Sequence, residues 1–429
     1  MRIAVAGLWH LGTVTAACLA DAGHEVLGFD EDAAAINALR RGEPPLFEPG
    51  LEALVRKGIE HGKLRFSAER RDVSSAELVW IAYDTPVDDN DQADAESVVS
   101  SVAALFPFLQ PGALALISSQ LPAGSTRRLE GLYREACPGG TATFGYSPEN
   151  LRLGKAIEAF THPERIVVGL RFAVDRPRLE NVLSAFTKNI EWVRVESAEM
   201  TKHALNAFLA TSVTFINEVA AICERVGADA REVERGLKAD VRIGPRAYLR
   251  PGPAFAGGTL ARDVSFLMEL GGRQQLPTHL LAAVRASNEA HKDWPRRRLR
   301  EALGDLRGKT VAVLGLTYKP GTDTLRRSSA VETCRWLHEQ GALVNAYDPA
   351  VKQLPEALRA SINLRASAAE ALRGADAALI ATEWPEFAAL KAEEVVQAMP
   401  RPLVLDPGGF LEKNVGQDAR IRYLTVGRP

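Results

Sequence analysis

Residues 2–30 read RIAVAG (2–7), LWHLG (8–12), TVTAACLADAG (13–23) and HEVLGFD (24–30). The first block is a short apolar run that ends in glycine. Leu11–Ala22 spaces its apolar residues for one face of a helix, and His24–Asp30 is a second strand, so the stretch predicts a βαβ unit. Gly7-Leu8-Trp9-His10-Leu11-Gly12 falls where a G-x-G-x-x-G turn belongs, between strand and helix, and Asp30 follows 23 positions after Gly7. A carboxylate there accepts from ribose hydroxyls and repels a 2′-phosphate, which favours NAD over NADP. The middle glycine is Trp9, at the position where a dinucleotide's pyrophosphate approaches the backbone. One reading of Trp9 is therefore a nucleotide fold that binds no dinucleotide, with the indole filling the pocket or packing in the core.

The same pattern returns at KTVAVLG (309–315), a helix near Ser329–Gln340 and ALVNAYD (342–348). Further strands are expected at Leu78–Ala82, Ala113–Ser118, Ala142–Tyr146 and Arg165–Val168 after the first unit, and at Ala377–Thr382 and Leu403–Asp406 after the second. Between them Ser197 is expected to cap a long helix reaching about Arg225, with more helix to about Arg300 around a Pro/Gly-rich loop at Gly244–Gly258. The fold class is α/β: two Rossmann-like doubly wound domains, 1–196 and 301–429, joined by a central helical domain, 197–300.

The 429 residues carry 52 Lys+Arg against 54 Asp+Glu, a net charge of −2. That balance gives no electrostatic footprint for nucleic acid or an anionic membrane. Cys18, Cys137, Cys223 and Cys334 are widely spaced, with no metal-ligand or disulfide pattern, and fit a reducing cytoplasm. No signal peptide, membrane-spanning apolar run or metal site is expected.

Several motifs in order resemble the UDP-glucose/GDP-mannose dehydrogenase family: Gly7–Gly12, Thr85-Pro86, Ser147-Pro148-Glu149-Asn150-Leu151, Lys202 with Asn206, Arg242-Ile243-Gly244, Gly252–Asp263, Gly315–Ser328 and Thr382-Glu383-Trp384. Such enzymes oxidise a sugar nucleotide's C6 alcohol with two NAD⁺, the second step passing through a cysteine thioester. The resemblance implies cofactor contacts from Gly7, Trp9, His10, Leu11, Gly12, Asp30, Thr85, Pro86, Gln120 and Arg326. Substrate contacts fall on Asn150, Leu151, Arg242, Tyr248, Phe255, Gly257, Gly258 and Lys319. Catalytic roles fall on Lys202, Asn206, Asp263, Glu149 and Thr259. Lys202 and Asn206, four apart, put an ammonium and an amide on one helix face, suited to a developing alkoxide. A homodimer is expected, because Arg242 resembles an arginine that reaches a neighbouring subunit's substrate.

Thr259 stands where the family has its cysteine, Leu153 where it has a second glutamate, and Gln120 where it has a threonine. A threonine hydroxyl has no accessible anion near neutral pH without a base, so covalent catalysis at this position is disfavoured. The leading expectation is an NAD-dependent nucleotide-sugar dehydrogenase with a weakened second oxidation. The alternatives are a two-electron or redox-neutral conversion, and a catalytically silent nucleotide-sugar-binding protein.

Overall fold

The computed structural model describes residues 1–86, 93–149, 151, 154–256 and 258–429, which divide into two compact units, Met1–Leu205 and Asn206–Pro429. In unit one, β1 (Arg2–Ala6), β2 (Glu25–Phe29), β3 (Leu64–Ser67), β4 (Leu78–Ile81), β5 (Leu114–Ile117), β6 (Thr143–Tyr146), β7 (Ile166–Leu170) and β8 (Ile190–Val193) form one sheet in the order β3-β2-β1-β4-β5-β6-β7-β8. β1 to β6 run parallel, and the reversal of order beside β1 is the switch point at which open α/β sheets bind ligands. β7 pairs antiparallel with β6 and parallel with β8. The central strands are buried along their whole length, as expected when both sheet faces are covered by helices.

Unit two holds β9 (Thr310–Leu314), β10 (Leu343–Tyr347), β11 (Asn363–Leu364), β12 (Ala377–Ile380), β13 (Leu403–Leu405) and β14 (Arg422–Leu424), ordered β11-β10-β9-β12-β13-β14 and all parallel. The two expected Rossmann-like sheets are thus present.

The long helix runs Val195–Val226, so Ser197 lies inside it and is not its cap; its carbonyl accepts from the Thr201 hydroxyl instead. By length and composition this helix matches a membrane span, contrary to the sequence expectation that no apolar run comes near one. Its buried positions include Glu199, Lys202 and Glu224, charged side chains that are costly at a bilayer centre, about 2.5–3.5 kcal/mol for a lysine by insertion scales. Part of its apolar content, Ala198, Ala207, Ala210, Ile216 and Ala220, is core, while Phe208, Phe215 and Ile222 are exposed.

Candidate active site

At the switch point of unit one the chain turns from β1 into the helix His10–Asp21. Both outer glycines are required. Gly7 has φ +89°, and a Cβ there would lie 2.6 Å from the Tyr83 backbone; one at Gly12 would lie 1.7 Å from the Gly7 carbonyl oxygen. Trp9 has φ −69°, which any residue adopts, so the side chain alone distinguishes it from the family's glycine. The indole is 50% exposed, which rules out the reading in which it packs in the core. The first turn carries no acidic residue, leaving the amide-rich helix start open to an anion.

Asp30 follows β2 and is only partly buried. Its Oδ2 accepts from the Leu8 N–H at 2.7 Å and its Oδ1 from the Asp32 N–H at 3.0 Å, and lone pairs remain for two hydroxyls. Its counterpart in unit two, Asp348, is 1% exposed. There Oδ2 takes the Leu316 and Thr317 N–H groups, the Thr317 hydroxyl and the Trp384 indole, while Oδ1 takes the Ala350 N–H. The repeat therefore differs in exposure: both carboxylates hold the loop after the first strand, but Asp30 stays partly exposed while Asp348 is buried and fully engaged. These residues of unit one suit a dinucleotide.

Beyond β4 and β5, the Thr85 hydroxyl donates to the Gln120 carbonyl at 2.8 Å, so two expected cofactor residues meet. Pro86 is exposed beside them, and its carbonyl accepts from the Asp94 N–H. The helix Ser125–Ala136 starts at Gly124, which has φ +97° and no capping side chain. Glu199 of the long helix, wholly buried, supplies the cap. Its Oε2 takes the Gly124 N–H at 2.6 Å, and its Oε1 takes the Thr126 N–H at 2.9 Å and the Thr126 hydroxyl at 2.7 Å. Motif matching did not single out Glu199; a buried acid one turn before Lys202 was its only signal.

Lys202 is 8% exposed and donates to the Glu149 carbonyl at 2.6 Å, while the Glu149 carboxylate accepts from the Leu151 N–H at 2.6 Å. The ammonium is thus not on a solvated face but is held against the β6 crest. A cavity of about 520 Å³ opens here, lined by Glu149, Leu151, Trp80, Ser118 and Lys155 among others. Leu11 also lines it, so the helix that carries the glycine loop borders this space. His10 pairs with Glu48, a residue the motif reading did not use.

In unit two, Asn206 Nδ2 donates to Asp263 Oδ2 at 2.5 Å, with Asn206 7% exposed and Asp263 wholly buried. Asp263 is therefore not a solvent-facing carboxylate on a helix dipole. It lies on the helix Thr259–Arg273, whose first residue, Thr259, is exposed and follows Gly258 at φ +119°. The loop before it is fixed by amides. Asn217 Oδ1 accepts from the Gly252 N–H, Asn288 bridges the N–H and carbonyl of Phe255, and His291 Nε2 contacts the Gly252 carbonyl at 2.9 Å. Burial pushes the His291 pKa below its usual value.

Arg242 is exposed and chelated by Asp240, and Tyr248 is 58% exposed, so both are presented outward. Lys319 lies over the Tyr318 ring at 5.5 Å, and Arg326 is exposed. A cavity of about 180 Å³ lies beside Tyr318, between Pro253, His291 and Ser328. Asn150, Leu153 and Gly257 lie outside the described residues.

None of the four cysteines lies on the helix Thr259–Arg273 or in the loop before it. Cys18, Cys223 and Cys334 are core side chains, and burial pushes Cys18 and Cys334 up to about 12; Cys137 ends the helix Ser125–Ala136. Nor does any group of three or more His, Cys, Asp or Glu among the described residues form a metal cage.

Three family models match in order: the NAD binding domain of the UDP-glucose/GDP-mannose dehydrogenase family over residues 1–187, its central domain over 196–290 and its UDP binding domain over 312–413. A UDP-glucose 6-dehydrogenase of Rhizobium meliloti is 35% identical with both chains covered in full, and one from Pseudomonas aeruginosa is 32% identical over all of this chain and 98% of its own. Among solved structures, a UDP-glucose dehydrogenase from Pyrobaculum islandicum superposes with a TM-score of 0.85 at 30% identity, covering 99% of this chain and 97% of that one.

Proposed function

The chain belongs to the UDP-glucose/GDP-mannose dehydrogenase family, and on that premise we propose that it oxidises the C6 alcohol of a UDP-glucose-type nucleotide sugar and stops short of a thioester-dependent second oxidation. Membership makes it an NAD-dependent oxidoreductase acting on a CH–OH group. The observation that carries the finer reading is the pair of buried contacts one turn apart on a single helix, Lys202 to the Glu149 carbonyl and Asn206 to Asp263.

The cofactor, bound at Gly7–Gly12, Asp30, Thr85 and Gln120, supplies a hydride acceptor. In the proposed roles Lys202 and Asn206 stabilise the C6 oxyanion as it develops, with donors fixed in advance by burial. Asp263 orients the Asn206 amide and accepts the alcohol proton through water; Glu149 positions Leu151 and the sugar. Arg242, Tyr248, Phe255, Gly258, Lys319 and Arg326 serve the nucleotide and cofactor. Thr259 at the helix start replaces the thiol without replacing its chemistry: helix termini lower a thiol pKa into range, whereas an alcohol stays far above it.

Functional parts 1–196, 197–300 and 301–429 follow from the same reading, as does a cytoplasmic homodimer. For the dimer, Phe208, Phe215 and Ile222 recur every seven residues and are all exposed, a stripe suited to a second copy of the helix. The test is to measure NAD⁺ reduction with UDP-glucose and to identify the product by mass. No turnover by a protein that binds both ligands would favour the catalytically silent alternative, for which Trp9 together with Thr259 in place of the family's cysteine is the support.

A further inference from the structure

Glu48 sits in GEPPLFEPG (42–50) and is 4% exposed. Its Oε2 pairs with His10 Nε2 at 3.0 Å and accepts the Gly154 N–H at 2.7 Å, while Oε1 accepts the Ala156 N–H at 2.8 Å. His10 is the first residue of the helix after the glycine loop. Gly154 and Ala156 open the helix Ala156–Thr161, which has no side-chain cap of its own and follows the segment that holds Glu149 and Leu151. One buried carboxylate thus serves both the cofactor side and the sugar side of unit one. It satisfies its three partners in one arrangement only, because the two backbone N–H groups fix its plane and the imidazole must then come to Oε2.

We infer that Glu48 is a positioning residue that couples the two ligands: seating a dinucleotide at the His10 helix start favours the sugar-binding placement of the helix start at Gly154 and Ala156, and the reverse. The inference rests on the proposed function. Glu48 is buried, so the coupling passes through His10 on one side and two amides on the other. Thermodynamic linkage requires the effect to be the same in both directions.

The test uses NADH and UDP-glucose, a pair that cannot turn over because the cofactor is already reduced. Calorimetry on the full chain gives the NADH affinity alone and with saturating UDP-glucose, and the UDP-glucose affinity with and without NADH. Wild type is expected to show a mutual enhancement of about tenfold, within the usual range of coupling between sites. Glu48→Gln, and independently His10→Ala, which leaves both amide contacts intact, are expected to bring that ratio to about one, with His10→Gln restoring a donor and part of the ratio. A carboxylate with a structural role alone would lower both affinities and leave the ratio unchanged. An unchanged ratio in both variants, or a wild type that binds both ligands independently, overturns the coupling. A wild type that binds neither ligand overturns the proposed function itself.

Discussion

Replacing Glu199 by Gln tests how the long helix holds the β5 crest. Gln has the same shape, so no cavity forms, and only the charge and one acceptor are lost. The best orientation keeps the amide oxygen on the two Thr126 donors, which puts an NH₂ group against the Gly124 N–H at the present 2.6 Å. Two charge-assisted bonds become neutral, at about 1 kcal/mol each, and one N–H is left facing a donor, at about 1–3 kcal/mol. Losing a negative charge at the start of a 12-residue helix adds a few tenths more. Because Gly124 is partly exposed, water recovers some of this, and a net loss of about 3 kcal/mol is expected. Urea unfolding of the Glu199→Gln and Glu199→Asp variants, followed by circular dichroism, would read it. A Glu199→Gln stability within about 0.5 kcal/mol of wild type, the ordinary range for surface changes, would refute the capping argument.

Gly12→Ala should abolish NADH binding measured by calorimetry, since a Cβ 1.7 Å from the Gly7 oxygen forces the loop apart; retained wild-type affinity would show that the loop deforms cheaply. Thr259→Cys should create a thiol at a helix N-terminus that iodoacetamide modifies faster than any of the native cysteines at pH 7, with UDP-glucose slowing the reaction; peptide mass mapping reads both. For His291 the folded-state pKa is depressed, so its contribution is fully present above the unfolded value near 6.5 and is lost as pH falls below it. Wild type should therefore lose stability between pH 7.5 and 5.5 relative to His291→Gln, as read by denaturant midpoints; parallel pH profiles would contradict this.

The glycine-bounded turns were legible because the physics is local. A strand ending at Gly7 or Gly315 with a positive φ, followed by a periodic apolar helix, leaves few alternatives. The short edge strands Leu64–Ser67, Ile190–Val193 and Arg422–Leu424 were not legible, since three or four residues show no decisive alternation and their pairing is set by neighbours distant in sequence. The helix start at Val195 was missed for a related reason. Ser197 looks like a cap, but nothing in the sequence says that the preceding residues already have helical neighbours. Lys202 and Asn206 were identified from spacing and motif order, while their partners, the Glu149 carbonyl and Asp263, could only be assigned by tertiary contact. Glu199, Glu48, Asn217, Asn288 and His291 lay outside the reading because each acts on backbone groups far away in sequence, and no motif spacing records such contacts. The difference between Asp30 and Asp348 was invisible for the same reason: the two occur in the same pattern, and only burial and hydrogen-bond partners separate them.

The central claim is oxidation of a nucleotide sugar by one hydride transfer without a thioester step. It is tested most directly by the NADH formed per UDP-glucose consumed by the purified protein, with the product identified by mass. One NADH per sugar and a product two hydrogens lighter than UDP-glucose is the predicted result. Two NADH per sugar with a uronate product would contradict it, requiring Thr259 or an activated water to do the work of the thiol, and no NADH at all would contradict it from the other side.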